Sequence, residues 1–247
     1  MMKAFMLSLL LFLSAFCAEI ENTSNNDFSD FNTEFNKAKV FDPLSGYNRF
    51  MTGFNNSLYY AFFRPVFKGY NTVVPEPAKK SVSNFYYNLF FPIRFVGNIL
   101  QFRFMDATDE LFSFAINTTF GVGGLFEVAN THFNIPRHDE DIAQAFGHWG
   151  IGSGFPVVLP IIGQSNLRDS VGLAAEFFIN PISYADSWAG GHVWKNSFIA
   201  PGMGAGYILN KGGTNPDEYK ILTKDAIDLY PFLRDTYEQR RNAQIKE

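Results

Sequence analysis

Prolines and glycines interrupt this chain so often that only short helices can form, which limits the folds open to it. Apolar residues recur every three or four positions over residues 47–63, a spacing typical of an amphipathic helix, and Pro65 is expected to end it. The same spacing returns over residues 79–91 and 93–105, on either side of Pro92. The pattern predicts a bundle of short amphipathic segments.

The second half of the chain continues this pattern. Asp106 is expected to cap a helix that runs to about Thr118, and further helices are expected over residues 167–179 and 216–246, the last with a break at Pro231. Residues 121–124 and 147–154 are too rich in glycine for a helix or a central strand, and residues 157–162 are a strand candidate bracketed by prolines. We therefore predict an all-α fold with glycine- and proline-rich connections.

Phenylalanine is the compositional outlier. The chain has 29 Phe among 247 residues, and charged residues make up only 18%, below the roughly 25% usual in soluble domains. A buried core or a lipid-facing surface would each account for this excess. The net charge of −4 gives no electrostatic basis for binding nucleic acid. Two basic pairs, Lys79–Lys80 and Arg240–Arg241, are interpreted as solvated helix ends.

The amino-terminal residues have the pattern of a secretory signal peptide. Residues 1–18 carry one Lys, a short apolar run and then small residues, residues 19–39 form a polar tether, and residues 40–247 form one helical domain with polar helices over 216–247. Cys17 leaves two alternatives open. It is a candidate for lipid attachment, although Phe16 precedes it where a small residue is usual, or ordinary cleavage near residues 15–17 or just after Ala18 leaves a mature chain without cysteine.

No group of residues in the sequence has the spacing of a catalytic, cofactor or metal site. Neither glycine-rich segment completes a dinucleotide fingerprint, and Ser153 does not lie in the G-x-S-x-G pattern of a hydrolase. His138 with the acidic residues 139–141 is interpreted as a polar helix start, and Arg168 with Asp169 as an ion pair or cap. We therefore expect neither an enzyme nor a cofactor or metal.

Several segments, taken in order, resemble the MlaA family, also called VacJ. The similarity is strong over residues 41–172, weakens toward residue 206, and then becomes general helical similarity. The segments that carry it are FDPLSGYNRFMTG (41–53), NTTFGVGGLFEVA (117–129), FGHWGIGSGFPVVLP (146–160) and SNLRDSVG (165–172).

The resemblance implies a ring-like set of interfacial helices around an amphipathic channel in the outer membrane of a Gram-negative bacterium, on its periplasmic side. Phospholipids misplaced in the outer leaflet would pass through this channel to a periplasmic lipid-carrier protein, which maintains lipid asymmetry. Members of the family associate with outer-membrane trimeric porins. The resemblance also implies that this component needs no nucleotide.

By the same resemblance, ten residues are candidates for the channel. A Phe-Asn pair in the first helix matches a family region thought to control channel opening, and two glycine-rich segments match family segments close to the channel. The candidates are Phe54, Asn55, Asn117, Gly121, Gly123, Gly124, Phe126, Gly150, Gly152 and Gly154. Two other functions stay open: a soluble periplasmic helical binding or scaffold protein, and a lipid hydrolase, for which the sequence offers no nucleophile with a base.

Overall fold

Short helices account for most of the computed structural model, which describes residues 40–188 and 199–246. The signal segment 1–18, with Cys17, and the tether 19–39 lie outside these residues. The all-α prediction is confirmed, with one small sheet added. The helices are α1 (Ser45–Leu58), α2 (Arg64–Val73), α3 (Glu76–Leu89), α4 (Phe91–Leu100), α5 (Phe104–Thr119), α6 (Val128–Phe133), α7 (Ile142–His148), α8 (Leu167–Phe177), α9 (Ala185–Trp188), α10 (Ile199–Thr214), α11 (Glu218–Thr223) and α12 (Leu229–Gln244).

The sheet is a hairpin of two strands, β1 (Pro156–Leu159) and β2 (Gly163–Asn166), which pair antiparallel. The first strand overlaps the predicted candidate region 157–162 and begins one residue before it, whereas the second was not predicted. The turn between them contains Ile161 at φ 67° and Gly163 at φ 98°. A left-handed backbone is unfavourable for residues other than glycine, so Ile161 is the strained residue of this turn.

Prolines begin several helices in this fold, and the predicted stop at Pro65 is wrong. The helix predicted to end at Pro92 ends at Leu89, and the break predicted at Pro231 falls just before it, between Thr223 and Leu229. Pro65 and Pro92 lie in the first turns of α2 and α4, and Pro231 lies in the first turn of α12. Where a separate helix begins, as at Pro92 and Pro231, a first-turn N–H has no intrahelical partner, so proline loses nothing there.

The helix that Pro65 was expected to end continues through a π-helical turn, Tyr59–Phe63, into α2. The backbone N–H of Arg64 donates to the carbonyl of Tyr59, five residues back. This wider turn resets the helical register just before Pro65, which explains why the proline is accommodated there.

The predicted cap at Asp106 is also wrong. Arg103 stands at the N-cap of α5, and Asp106 lies inside its first turn, where Arg103 Nε is 2.8 Å from Asp106 Oδ2. A carboxylate in the first turn still stabilises the helix through the dipole.

Helices pack in pairs, α4 on α5, α7 on α8, and α2 on α10. Close approach of α7 and α8 depends on Gly172, where an added Cβ would stand 2.6 Å from the Cβ of Ala143. This pair of helices supplies one wall of the cavity described below.

Burial is inverted relative to a soluble protein. Among the described residues, 19 polar or charged side chains are buried, against 10 hydrophobic ones, and Phe67 is the one phenylalanine in the buried class. Helix α5 illustrates this inversion: it buries Ala107, Glu110, Ser113 and Asn117 and exposes Phe104, Met105, Leu111 and Phe112. Large exposed apolar surface on a folded chain marks a surface that contacts other apolar matter.

Within the part of the chain that the structure describes, no helix combines the length and the hydrophobicity needed to cross a membrane.

Candidate functional site

A cavity of about 450 Å³ lies between α8, α10, α11, α12, the start of α7 and the β-hairpin. Its wall is amphipathic, because aliphatic side chains and charged side chains share it. The aliphatic residues are Leu159, Ile162, Leu173, Leu222 and Leu233, and the charged ones are Asp141, Asp169, Glu176, Lys211, Arg240 and Arg241. This volume falls in the range of small-molecule binding sites.

Two helix starts place carboxylates at this cavity. Asp141 caps α7 in a capping box, in which the Gln144 N–H donates to Asp141 Oδ1 at 2.7 Å and the Asp141 N–H donates to Gln144 Oε1 at 3.0 Å. Asn166 caps α8, accepting from the N–H of Asp169 at 2.8 Å. The predicted polar start at residues 138–141 is therefore realised at Asp141.

Arg241 of α12 ties the two helix starts together. Its guanidinium donates to Asp141 Oδ2 at 2.7 Å and to Asp169 Oδ2 at 2.9 Å. Asp169 also accepts from Arg168 Nε at 2.8 Å and from the Tyr237 hydroxyl at 2.7 Å, so the predicted ion pair of residues 168 and 169 is confirmed. Burial alone would raise the pKa of Asp169, but the hydrogen bonds from Arg168 and Tyr237 and the charge of Arg241 lower it.

Glu176 of α8 is the carboxyl of the cavity that lacks an arginine hydrogen-bonded to it. Its Oε1 accepts from the Ile142 N–H at 3.2 Å, at the start of α7. Burial first, and then repulsion from Asp141, raise its pKa to about 7. The Glu176 carboxyl is therefore half protonated near neutral pH, which makes it the most readily titrated group of the wall.

Two cations of the wall, Lys211 and Arg240, have no ion-pair partner in residues 40–188 and 199–246. Lys211 Nζ lies 3.4 Å from the Tyr207 hydroxyl and 5.5 Å from the centre of its ring. Both side chains belong to exposed residues and also line the cavity. They are available to an anion that enters it.

The arrangement can hold an amphiphile, since it offers free charges beside an aliphatic wall. Among the lining residues the structure describes, none is a histidine or cysteine, and Ser165 Oγ lies 3.1 Å from another hydroxyl, that of Ser170. A serine nucleophile requires an adjacent base, whereas the Ser165 hydroxyl lies next to another hydroxyl.

Of the predicted pair Phe54 and Asn55, Asn55 contacts the backbone of the hairpin that borders this cavity. The Asn55 amide donates to the Leu159 carbonyl at 2.9 Å and accepts from the Ile161 N–H at 2.8 Å. It thereby fixes the hairpin turn, next to the lining residues Leu159 and Ile162. Phe54, on α1, is 45% exposed.

Of the predicted residues from 117 to 126, Asn117 lies in the last turn of α5 and the others form the α5–α6 connection; all are absent from the described cavity lining. Asn117 is buried, its Oδ1 accepts from the Ala129 N–H at 2.9 Å, and its carbonyl accepts from the Gly124 N–H. The Phe126 N–H donates to the Gly121 carbonyl at 2.9 Å, and the Phe126 side chain is exposed.

Each glycine of this connection has a different constraint. A Cβ on Gly121 would overlap the carbonyl oxygens of Asn117 and Phe126, and one on Gly124, at φ 92°, would stand 2.5 Å from Asn88 Cβ. Gly123, at φ 69°, faces open space. The connection is a tightly built turn, and its part in a channel stays a prediction.

The third predicted group, Gly150, Gly152 and Gly154, lies in the loop between α7 and β1, also outside the described lining. Gly150 and Gly154 have φ values of 83° and 71°. The loop is joined to the charged cluster because Arg168 Nη1 donates to the carbonyl of Ile151 at 3.4 Å. These glycines therefore shape a loop beside the cavity, and their role in a channel stays a prediction.

The sequence interpretation missed the charged wall. Lys79, with 2% exposure, and Arg241, with 8%, are buried, so the interpretation of both basic pairs as solvated ends is wrong for one member of each. Lys79 Nζ binds Asn71 and Glu76, which keeps a buried cation satisfied. Glu176 did carry a signal, because it is the acidic residue inside an otherwise apolar helical stretch.

One further cluster has the composition of a cation site. Ligand atoms of Asp106, Asp109 and His138 lie within 4.8 Å of one another. However, Asp106 pairs with Arg103 at 2.8 Å, and His138 Nε2 lies 3.2 Å from Asp109 Oδ2. These contacts make the cluster a polar network that joins α5 to the segment before α7.

Comparison with known proteins agrees with this architecture. The sequence model of the MlaA lipoprotein family matches residues 40–244. The intermembrane phospholipid transport system lipoprotein MlaA of Escherichia coli (strain K12) is 36% identical over 204 residues, which cover 81% of this chain and 77% of that protein. A protein of Rickettsia prowazekii (strain Madrid E) is 31% identical over 226 residues, covering 90% of this chain and 86% of that protein.

A solved structure gives the same result at the level of the fold. It is described as the structural basis for maintenance of bacterial outer membrane lipid asymmetry, and it matches with a TM-score of 0.69 and 29% sequence identity over 83% of this chain and 98% of that chain. The family resemblance seen in the sequence motifs is thus confirmed, and the chain belongs to the MlaA lipoprotein family.

Proposed function

We propose that this protein removes phospholipids from the outer leaflet of a Gram-negative outer membrane and passes them to a periplasmic lipid-carrier protein. In this proposal it acts without a cofactor and without covalent chemistry, and the amphipathic cavity forms part of the lipid path. The ring-like arrangement of helices around a central channel, predicted from the family, is part of the same proposal.

The inverted burial of side chains is the observation that carries this proposal. Phe102, Phe120 and Phe178 are 70%, 68% and 71% exposed, while asparagines and ion pairs fill the interior. Helices that lie in a bilayer interface present apolar faces to acyl chains, and they do not need to span the bilayer. The exposed apolar faces are expected to keep a Cys17→Ala variant in the membrane fraction, even if wild-type Cys17 is lipidated.

The cavity fits a two-part ligand. Moving an acyl chain through water would cost about 0.8 kcal/mol for each exposed CH₂, so a lipid path needs an aliphatic wall. It also needs polar groups that replace the hydration of the headgroup. Leu173 and Leu233 supply the first requirement, and Lys211 and Arg240 supply the second.

The partners follow from the family. The E. coli relative is named as part of an intermembrane phospholipid transport system, which supports a periplasmic carrier as the acceptor of the lipid. We also propose an association with an outer-membrane trimeric porin, and co-purification from detergent-solubilised membranes tests it directly.

A cavity-filling pair of variants tests the function. Leu173 lines the cavity on α8, whereas Val171 of the same helix is exposed and lies outside the described lining. In cells whose own copy is deleted, Leu173→Trp is expected to leave phospholipid in the outer leaflet, measured with a membrane-impermeant amine-reactive probe, and to increase detergent sensitivity. Val171→Trp is expected to restore normal asymmetry.

Three results would contradict the proposal. Unchanged outer-leaflet phospholipid after gene deletion would remove the transport function, and release of the chain by osmotic shock without detergent would favour the soluble scaffold. Turnover of phospholipid by the purified protein, abolished by replacing one Ser or His, would favour the hydrolase.

A further inference from the structure

The charged residues at the cavity divide into a balanced set and a free set. Arg241 is hydrogen-bonded to Asp141 and Asp169, and Arg168 forms a second ion pair with Asp169. These two cations and two anions cancel, and the Tyr237 hydroxyl occupies a further lone pair of Asp169. The balanced set therefore has little charge left to offer a ligand.

The free set consists of Lys211, Arg240 and Glu176. Neither cation forms an ion pair within the described ranges, and Glu176 receives only the Ile142 N–H on Oε1. Its second carboxyl oxygen has no hydrogen-bond donor among the residues that the structure describes. Two cations and one carboxyl thus line a single cavity of about 450 Å³ beside its aliphatic residues.

We propose that this free set selects a zwitterionic phospholipid headgroup, with the phosphate bound by Lys211 and Arg240 and the primary ammonium bound by Glu176. This inference rests on the proposed function and adds the headgroup class to it. Guanidinium and ammonium groups form charge-assisted hydrogen bonds to phosphate, and a carboxylate does the same for an ammonium.

The surroundings of Glu176 favour a cationic ligand. Burial and the neighbouring charges of Asp141 and Asp169 raise its pKa, while Arg241 lowers it only in part. An ammonium next to this carboxyl would stabilise its ionised form. A glycerol headgroup would offer only hydroxyls at that position, so the cavity distinguishes phosphatidylethanolamine from phosphatidylglycerol at Glu176.

Photocrosslinking in nanodiscs tests the inference with the full-length protein. The nanodiscs contain equal amounts of phosphatidylethanolamine and phosphatidylglycerol, each with a photoreactive acyl chain, and mass spectrometry quantifies both adducts on cavity peptides. The wild type is expected to favour phosphatidylethanolamine by about fivefold, the upper range for one ion pair at a partly hydrated site. Glu176→Gln is expected to bring this ratio close to one while total labelling persists.

The cation variants separate the phosphate contact from headgroup selection. Lys211→Gln and Arg240→Gln are each expected to lower the labelling by both lipids, and Lys224→Gln, at an exposed lysine after α11, is the matched control that leaves it unchanged. Inorganic phosphate in excess is expected to displace neither lipid, since it cannot use the aliphatic wall. Displacement by phosphate alone would overturn the inference.

The outcomes distinguish this inference from the proposed function. Equal labelling by both lipids in the wild type, or an unchanged ratio in Glu176→Gln, would overturn headgroup selection and leave lipid passage intact. Absence of any phospholipid adduct in the cavity of a folded wild type would overturn the lipid path itself, and the selection with it.

Discussion

Two of the buried arginine–carboxylate clusters in the described residues have different surroundings. In the first, between α4 and α5, Glu110 accepts from Arg94 Nε at 2.8 Å, from the Tyr87 hydroxyl at 2.9 Å and from the His138 N–H at 3.0 Å. In the second, Arg241 joins Asp141 to Asp169 at the edge of the cavity. Both replace an apolar core with hydrogen-bonded charges.

The difference lies in what surrounds each cluster. The Glu110 side chain is fully buried, with 0% exposure, whereas Asp141 retains 31% and borders a cavity that also contains free charges. A closed, saturated cluster can only hold helices together. A cluster beside an amphipathic cavity also fixes the wall on which a ligand binds, so buried polarity alone does not identify a site.

The largest expected effect follows from breaking the closed cluster. Glu110→Ala leaves the Arg94 guanidinium buried without its carboxylate, and we expect a loss of about 3–5 kcal/mol in the free energy of unfolding. Chemical unfolding in detergent micelles measures it. A loss no larger than that of Asp228→Asn, which removes an exposed partner, would show that the two clusters do not differ in this way.

A smaller loss is expected at the cavity. Arg241→Gln removes the cation shared by Asp141 and Asp169, but water in the cavity can hydrate Asp141 in its place. We expect about 2–3 kcal/mol of destabilisation, below that of Glu110→Ala. The same unfolding assay checks the order, and a reversed order would contradict the distinction between a closed and an open cluster.

Glu176 gives the cavity a pH dependence. Its pKa of about 7 lies above the ordinary 4.5, so the stability contributed by its protonated form is fully present below about pH 4.5 and is lost as the pH rises through 7. Glu176→Gln is therefore expected to be more stable than the wild type at pH 8, by on the order of 1–2 kcal/mol.

Melting temperatures at pH 5 and pH 8 measure this effect. The advantage of the Glu176→Gln variant over the wild type should shrink at pH 5. Glu218→Gln, at an exposed glutamate of α11, is the control and should show no such trend. A difference that is the same at both pH values would contradict the assigned titration.

The smallest effect is expected at the surface. The side chains of Arg49 and Asp228 are 53% and 47% exposed, and their charged atoms lie 2.7 Å apart. Arg49→Gln should cost no more than about 1 kcal/mol, because water screens exposed pairs. A larger loss of unfolding free energy would place this pair with the buried clusters.

Sequence patterns predicted the type of most elements and few of their ends. Helical spacing identified α1, α3, α4, α5 and α8, because a 3.6-residue period is a local property of the chain. It misplaced the end at Pro65, since a proline can end one helix or lie in the first turn of the next, and only the surrounding backbone decides.

The same limit applies to the candidate site. Family motifs led to Asn55, which fixes the hairpin next to the cavity, and to glycine loops that lie outside its described lining. They did not lead to Lys211, Arg240 or Arg241, because a charged residue near the end of a helix has the same local sequence whether it meets water or a buried carboxylate.

By itself the sequence determined that this chain forms short amphipathic helices and that it resembles a lipid-handling family, because both are recorded in local spacing and ordered motifs. Only the tertiary structure decided that asparagines and ion pairs lie inside while phenylalanines lie outside. Helical periodicity shows that a segment has an apolar face and a polar face, but it does not show which of them is buried. Which face is buried depends on what the neighbouring helices offer to it, and here they offer hydrogen bonds and charges.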